Sequence, residues 1–144
     1  MNPPQVFISY SGHDSFEASL LQHAIESLLK ATGVKAWTYQ RDQALSERSV
    51  ALALKKRVRQ SCATVFLVSP ATLERGASQW IELGYADAFG VDTFVLLHHL
   101  DYHSLKSADR GAPPLLLASH CTAAADWKKL IPELRKLAVK ARTP

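Results

Sequence analysis

Residues 4–21 read PQVFISYSGHDSFEASLL, and the change of character inside them sets the architecture. Val6, Phe7 and Ile8 form the apolar run that fills the interior of a sheet. Three hydroxyls follow, Ser9, Tyr10 and Ser11, and then Gly12, whose backbone is permissive. A strand therefore ends in a polar lip directly ahead of a helix. Asp14 and Glu17 have the spacing of a capping box. Phe16, Leu20, Leu21, Ala24, Ile25, Leu28 and Leu29 then recur at helical period until Gly33 offers a stop, which predicts a first helix from about Ser15 to Ala31.

The same alternation continues along the chain. Val34 to Tyr39 reads as a short second strand, the polar stretch Gln40 to Ser46 as a loop, and Val50, Leu54 and Val58 as the core stripe of a second helix. ATVFLV at Ala63 to Val68 and TFVLL at Thr93 to Leu97 are continuously apolar, as strands covered on both faces must be. Between them a helical segment runs around Gln79 to Phe89 and closes at Gly90. Beyond an irregular stretch with Gly111, Pro113 and Pro114, a weak strand is expected near Cys121 to Ala123. A last helix begins near Trp127, with Pro132 in its first turn or splitting it. Strands alternating with crossover helices specify an α/β fold with a parallel sheet. Ligands in such sheets bind beyond the carboxyl ends of the strands, at the switch point of the strand order. Those ends carry Ser9-Tyr10-Ser11, the loop with Arg41 and Asp42, and Ser69-Pro70, followed by the helix that bears Glu82.

With 144 residues, 47% of them hydrophobic, the chain can fill one core comfortably but not two, so one domain is expected over 1–140 with 141–144 as a tail. No run of about eighteen apolar residues argues for a membrane span and no signal-peptide pattern follows Met1. Cys62 and Cys121 form neither a CxxC nor a spaced framework, which fits a reduced compartment, and a cytoplasmic location is the expectation. The net charge of +4 is dispersed apart from residues 55–59 and the tail after Lys128. Both clusters read as solvated helix faces, so no nucleic acid and no membrane is expected as a partner. His98, His99 and His103 lack HExxH spacing or a cysteine partner, and no metal is expected. A serine hydrolase is a poor reading, because there is no GxSxG and no His and Asp partners can be argued.

Two other tenants of a parallel sheet fail at the strand ends. A receiver domain needs acidic residues after the first strand and a phosphoryl-accepting Asp after the third, where this chain has hydroxyls. A dinucleotide-binding Rossmann domain or P-loop needs a turn with two or three glycines, and SGHDS has one.

The boxes VFISYSGHD at Val6 to Asp14, VKAWTYQRD at Val34 to Asp42, FLVSP at Phe66 to Pro70 and SQWIELGYADA at Ser78 to Ala88, with Asp126-Trp127 near the end, resemble the TIR (Toll/interleukin-1 receptor) domain family, in its bacterial NAD-cleaving form. The resemblance implies a flavodoxin-like five-stranded parallel sheet with helices on both faces. Two departures stand out. Arg41-Asp42 is followed by Gln43-Ala44-Leu45-Ser46 rather than Pro-Gly, and Trp80 precedes Glu82 by two positions where the family often has four.

The family divides into assembling adaptors and enzymes that cleave NAD+ between nicotinamide and ribose. Nicotinamide departs as a neutral base from a pyridinium already cationic in the substrate, so one carboxylate facing the developing oxocarbenium can suffice, where ordinary glycosidases need two. Glu82 is the charge on a mostly apolar helix face, with Ser78, Ala86 and Phe89 at helical spacing, and is the candidate catalytic residue; the bland alternative is an acidic residue favoured near a helix start. Ser9, Tyr10, Ser11, Arg41 and Asp42 are candidate substrate contacts. Trp37 either stacks on a base or belongs to the core. NAD+ is then a substrate and no cofactor is expected. The resemblance further implies an antiviral or cell-death role, homotypic assembly through the loop at 40–49, and a sensor or oligomerisation domain following a linker-like C-terminal tail. A non-catalytic scaffold acting by homotypic interaction is the alternative.

Overall fold

The computed structural model describes residues 3–38, 47–75, 77–107 and 113–142. Strand β1 (Gln5–Ser9) leads through a 3-10 turn at Gly12–Asp14 into α1 (Ser15–Leu28). β2 (Lys35–Trp37) and α2 (Glu47–Gln60) follow, then β3 (Ala63–Val68), the short α3 (Pro70–Arg75) and α4 (Ala77–Ala88). β4 (Asp92–Leu97), the short α5 (Tyr102–Ser107) and α6 (Pro114–Leu117), β5 (His120–Ala123) and α7 (Leu130–Arg142) complete the chain. The five strands lie in the order β2-β1-β3-β4-β5, all pairs parallel, as in flavodoxin-like sheets.

Alternation along the strands feeds two cores. Val6, Ile8, Ala63, Val65 and Leu67 face one side, where Ala18, Leu21 and Ile25 of α1 and Leu130 and Leu134 of α7 cover them. Phe7, Phe66 and Val68 face the other, against Val58 of α2 and Leu83 and Ala86 of α4. β3 is buried at every position, which is why its sequence carries no charge and Thr64 is its one polar side chain. The edge strand β2 is covered rather than left open: Gln22 Nε2 donates to the Ala36 carbonyl at 2.8 Å, and the Ala36 N–H donates to Glu26 Oε2 at 3.1 Å.

Some expected boundaries move. The first helix stops at Leu28, and a 3-10 turn (Lys30–Thr32) carries the chain to Gly33, whose φ of 71° needs a glycine. Residues 47–49, read as loop from sequence, open α2. The tail expected at 141–144 is helical through Arg142, whose guanidinium donates to the Thr32 carbonyl at 2.6 Å and so ties α7 to the end of α1. Pro132 sits in the first turn of α7, where its missing N–H costs nothing. Among the described residues no helix is long and apolar enough to cross a membrane.

Candidate active site

The chain leaves β1 toward β2 on one side, whereas β3 leads to β4 on the other, so the switch point of the sheet lies between the carboxyl ends of β1 and β3. Ser9 ends β1 with its side chain on the α4 face. Its hydroxyl donates to Glu82 Oε1 at 2.8 Å across 73 positions of sequence. Glu82 is placed by the buried face of α4, which consists of Gln79, Glu82, Leu83 and Ala86. Gln79 pins that face to the sheet by donating from Nε2 to the Leu67 carbonyl at 3.0 Å. Ser78 and Ile81 face solvent instead, so the inward stripe is rotated from the one expected. Burial pushes the Glu82 carboxyl from the ordinary glutamate range up to about 7, and the Ser9 hydroxyl pulls in the opposite direction by donating to the carboxylate. A carboxylate held at the edge between its two states can serve near neutral pH.

A second pair lies on the α1 face. Ser69, just beyond β3, donates from Oγ to Asp14 Oδ2 at 2.6 Å. The capping-box spacing is present, yet Asp14 makes no side-chain cap bond to α1, because Ser69 has taken its carboxylate. Glu17 Oε2 lies 3.4 Å from His98 Nε2 on the same side. A cavity of about 810 Å³ opens beside them, with walls that include Leu20, Leu97 and Trp127. Glu82 is not part of its lining, so the cavity and the shifted carboxylate are separate features of the sheet edge.

The hydroxyl lip is less open than its sequence implied. Ser9 and Ser11 are buried, Ser11 accepting the Asp14 N–H at its carbonyl, and Tyr10 packs partly buried against the α1-side core. Trp37 belongs to the core: it stacks on Phe7 with ring centroids 5.2 Å apart, and the Arg57 guanidinium lies 5.6 Å from its ring. Its ring is already engaged, and its buried indole N–H has no acceptor among the described residues. Arg41 and Asp42 lie outside the described residues. Sequence reasoning passed over Gln79, whose position three before Glu82 was the available signal. It also dismissed His98, which joins Asp14 and Glu17 in a group of potential metal-donor atoms. The thiols of Cys62, pushed up to about 11, and Cys121, also raised, are held neutral by burial and are poor nucleophiles.

The TIR domain family matches residues 6–131. The chain belongs to the TIR domain family. Solved structures agree with that fold. The TIR domains of the activated Roq1 resistosome superpose with a TM-score of 0.59 at 16% identity, covering 96% of this TIR domain and 82% of that chain. A 2-desoxiribosyltransferase from Leishmania mexicana gives a TM-score of 0.64 at 18% identity, over 90% of this chain and 98% of the other. The CMP N-glycosidase BcmB of Clostridium botulinum gives 0.52 at 18% identity, over 90% and 97%. At these identities the likeness is one of fold. No curated protein matches the domain in sequence.

Proposed function

We propose that this TIR domain cleaves NAD+ at the bond joining nicotinamide to ribose. The observation that carries the reading is Glu82, a buried carboxylate held by Ser9 at the switch point of the sheet. The C1′–N bond breaks, its electron pair leaves on the pyridine nitrogen, and neutral nicotinamide departs. Water then adds to C1′ with loss of a proton to give ADP-ribose, or an internal nucleophile closes a cyclic isomer. Ionised Glu82 faces the positive charge that grows on the ribose ring, and buried surroundings strengthen that interaction. The cationic pyridinium of bound NAD+ favours the charged form of a carboxyl poised near 7, so substrate supplies the ionisation that burial opposes. Two fold relatives whose names denote transfer or cleavage at a nucleoside's ribosyl bond add support of a general kind. The proposed setting is an antiviral or cell-death response.

The purified domain incubated with NAD+ is expected to release nicotinamide, and CMP in its place is expected to release no cytosine above about pH 8, where Glu82 is ionised and cannot protonate the departing base. Release from neither substrate at any protein concentration would leave a TIR scaffold acting by homotypic assembly. The same assay tests association. β1, which ends at Ser9, pairs in parallel with β2, which ends at Trp37, and we propose that a neighbouring copy meets the domain through the segment 40–49 and excludes water from the carboxylate. Specific activity should then rise with protein concentration. A flat profile, unaltered in a forced-dimer fusion, would mean that one chain builds the whole site.

Ser9 offers a finer test. Ser9→Ala removes the donor that favours ionised Glu82, so its carboxyl should rise further and the pH of half-maximal kcat/KM should move to higher pH. An unmoved profile would detach Ser9 from the working carboxylate.

A further inference from the structure

Across the sheet from Glu82, three metal-ligating side chains converge where α1 begins and β4 ends. Asp14 precedes α1, Glu17 lies in its first turn, and His98 is the first residue beyond β4. One donor atom from each lies within 4.8 Å of the others, and Glu17 Oε2 is 3.4 Å from His98 Nε2. We propose that Asp14, Glu17 and His98 bind a divalent transition ion of the Zn²⁺ class, with its remaining coordination positions open to the adjoining cavity.

Charge is the first argument. Asp14 is buried, yet among the described residues neither it nor Glu17 is paired with a lysine or arginine. Two carboxylates bring negative charge that a divalent ion balances, and the imidazole supplies a nitrogen ligand. Geometry is the second. Bonds of about 2.0–2.2 Å set neighbouring ligand atoms roughly 3.0–3.5 Å apart, so the Glu17–His98 pair already has that spacing. No gap in the triad exceeds 4.8 Å, so closing to that spacing needs a shift of roughly 1.5 Å at most, and the Glu17 side chain is 33% exposed.

The supporting shell is also present. The Ser69 hydroxyl fixes Asp14 through Oδ2, the oxygen it holds at 2.6 Å. The backbone N–H of His98 donates to the Val68 carbonyl at 2.8 Å, which fixes the main chain at that residue, and the His98 ring lies against that of His99 with centroids 4.0 Å apart. Glu17 and His98 both line the cavity of about 810 Å³, which leaves space for water or a further ligand, as at a site with open coordination positions. An imidazole with two carboxylates suits Zn²⁺, with Mn²⁺ weaker, and lacks the all-oxygen set that Mg²⁺ prefers.

The full chain, stripped with a chelator, should take up one equivalent of Zn²⁺ by titration calorimetry and melt at a higher temperature when loaded. Mn²⁺ should bind more weakly, and Mg²⁺ should not saturate. Glu17→Gln and His98→Asn should each weaken Zn²⁺ by at least about tenfold. His120→Asn, at the start of β5, should change nothing. Melting of each variant without metal checks that it folds, and the partly exposed Glu17 supplies the test if the His98 variant does not. Saturation by Mg²⁺, no saturable Zn²⁺ binding, or Zn²⁺ binding that persists within about twofold in Glu17→Gln would overturn the site. None of these readouts depends on the Glu82 reaction.

Discussion

Glu82→Gln is expected to lower nicotinamide release from NAD+ by about 10³-fold or more while leaving the domain folded. The substitution keeps the side chain's length and an oxygen that can accept from Ser9 Oγ, so the buried face of α4 should stay in register through Gln79, Leu83 and Ala86. It removes the negative charge that would face the oxocarbenium. In a buried site that charge is not replaced by water, which is why the loss should exceed that of an exposed carboxylate. Parent activity should also rise with pH through about 7 as Glu82 ionises in the free enzyme. Nicotinamide release followed by chromatography over a pH series measures both effects. Activity within about tenfold of the parent would remove Glu82 from the reaction and return the domain to the scaffold reading.

The sheet was legible because its evidence is local. A short, β-branched-rich apolar run such as Ala63 to Val68 fits a strand buried on two faces, and helical periods alternate with such runs through the first two-thirds of the chain. Glu82 was legible as a charge in a mostly apolar stripe. Its partner was not, since Ser9 and Glu82 are 73 positions apart and meet only when α4 settles over the strand ends. Asp14 shows the opposite failure. Its spacing to Glu17 is a real local signal, but Ser69, 55 positions away, offers a hydroxyl at 2.6 Å and takes the carboxylate from the cap. Trp37 could be read either way from sequence; stacking on Phe7 in the register that pairs β1 with β2 places it in the core. Local patterns specify elements, whereas the site arises from contacts that the topology creates.

The position of Glu82 should also be visible in stability, because ionising a buried carboxyl opposes folding. Its folded value of about 7 lies above the ordinary 4.5, so the native state holds a proton that the unfolded chain has released. This favours the fold fully below about 4.5, and the advantage is lost as pH rises toward 7; above that both states are ionised and the native state carries the whole penalty. The gap converts to about 3 kcal/mol. Glutamine has no charge to desolvate, so the stability of Glu82→Gln relative to the parent should climb by up to about 3 kcal/mol between pH 4.5 and pH 8, or roughly 6–12 °C in Tm. Any fixed cost of burying the amide shifts this difference equally at every pH, so its change with pH is the quantity to measure. Urea titrations or thermal melts of both proteins over that range provide it. Parallel curves would mean that Glu82 ionises like a surface carboxylate, and the neutral-pH activity profile predicted for it would fail with them. A rising difference alongside lost activity would mean that the domain gives up stability to keep a charge where its proposed reaction needs one.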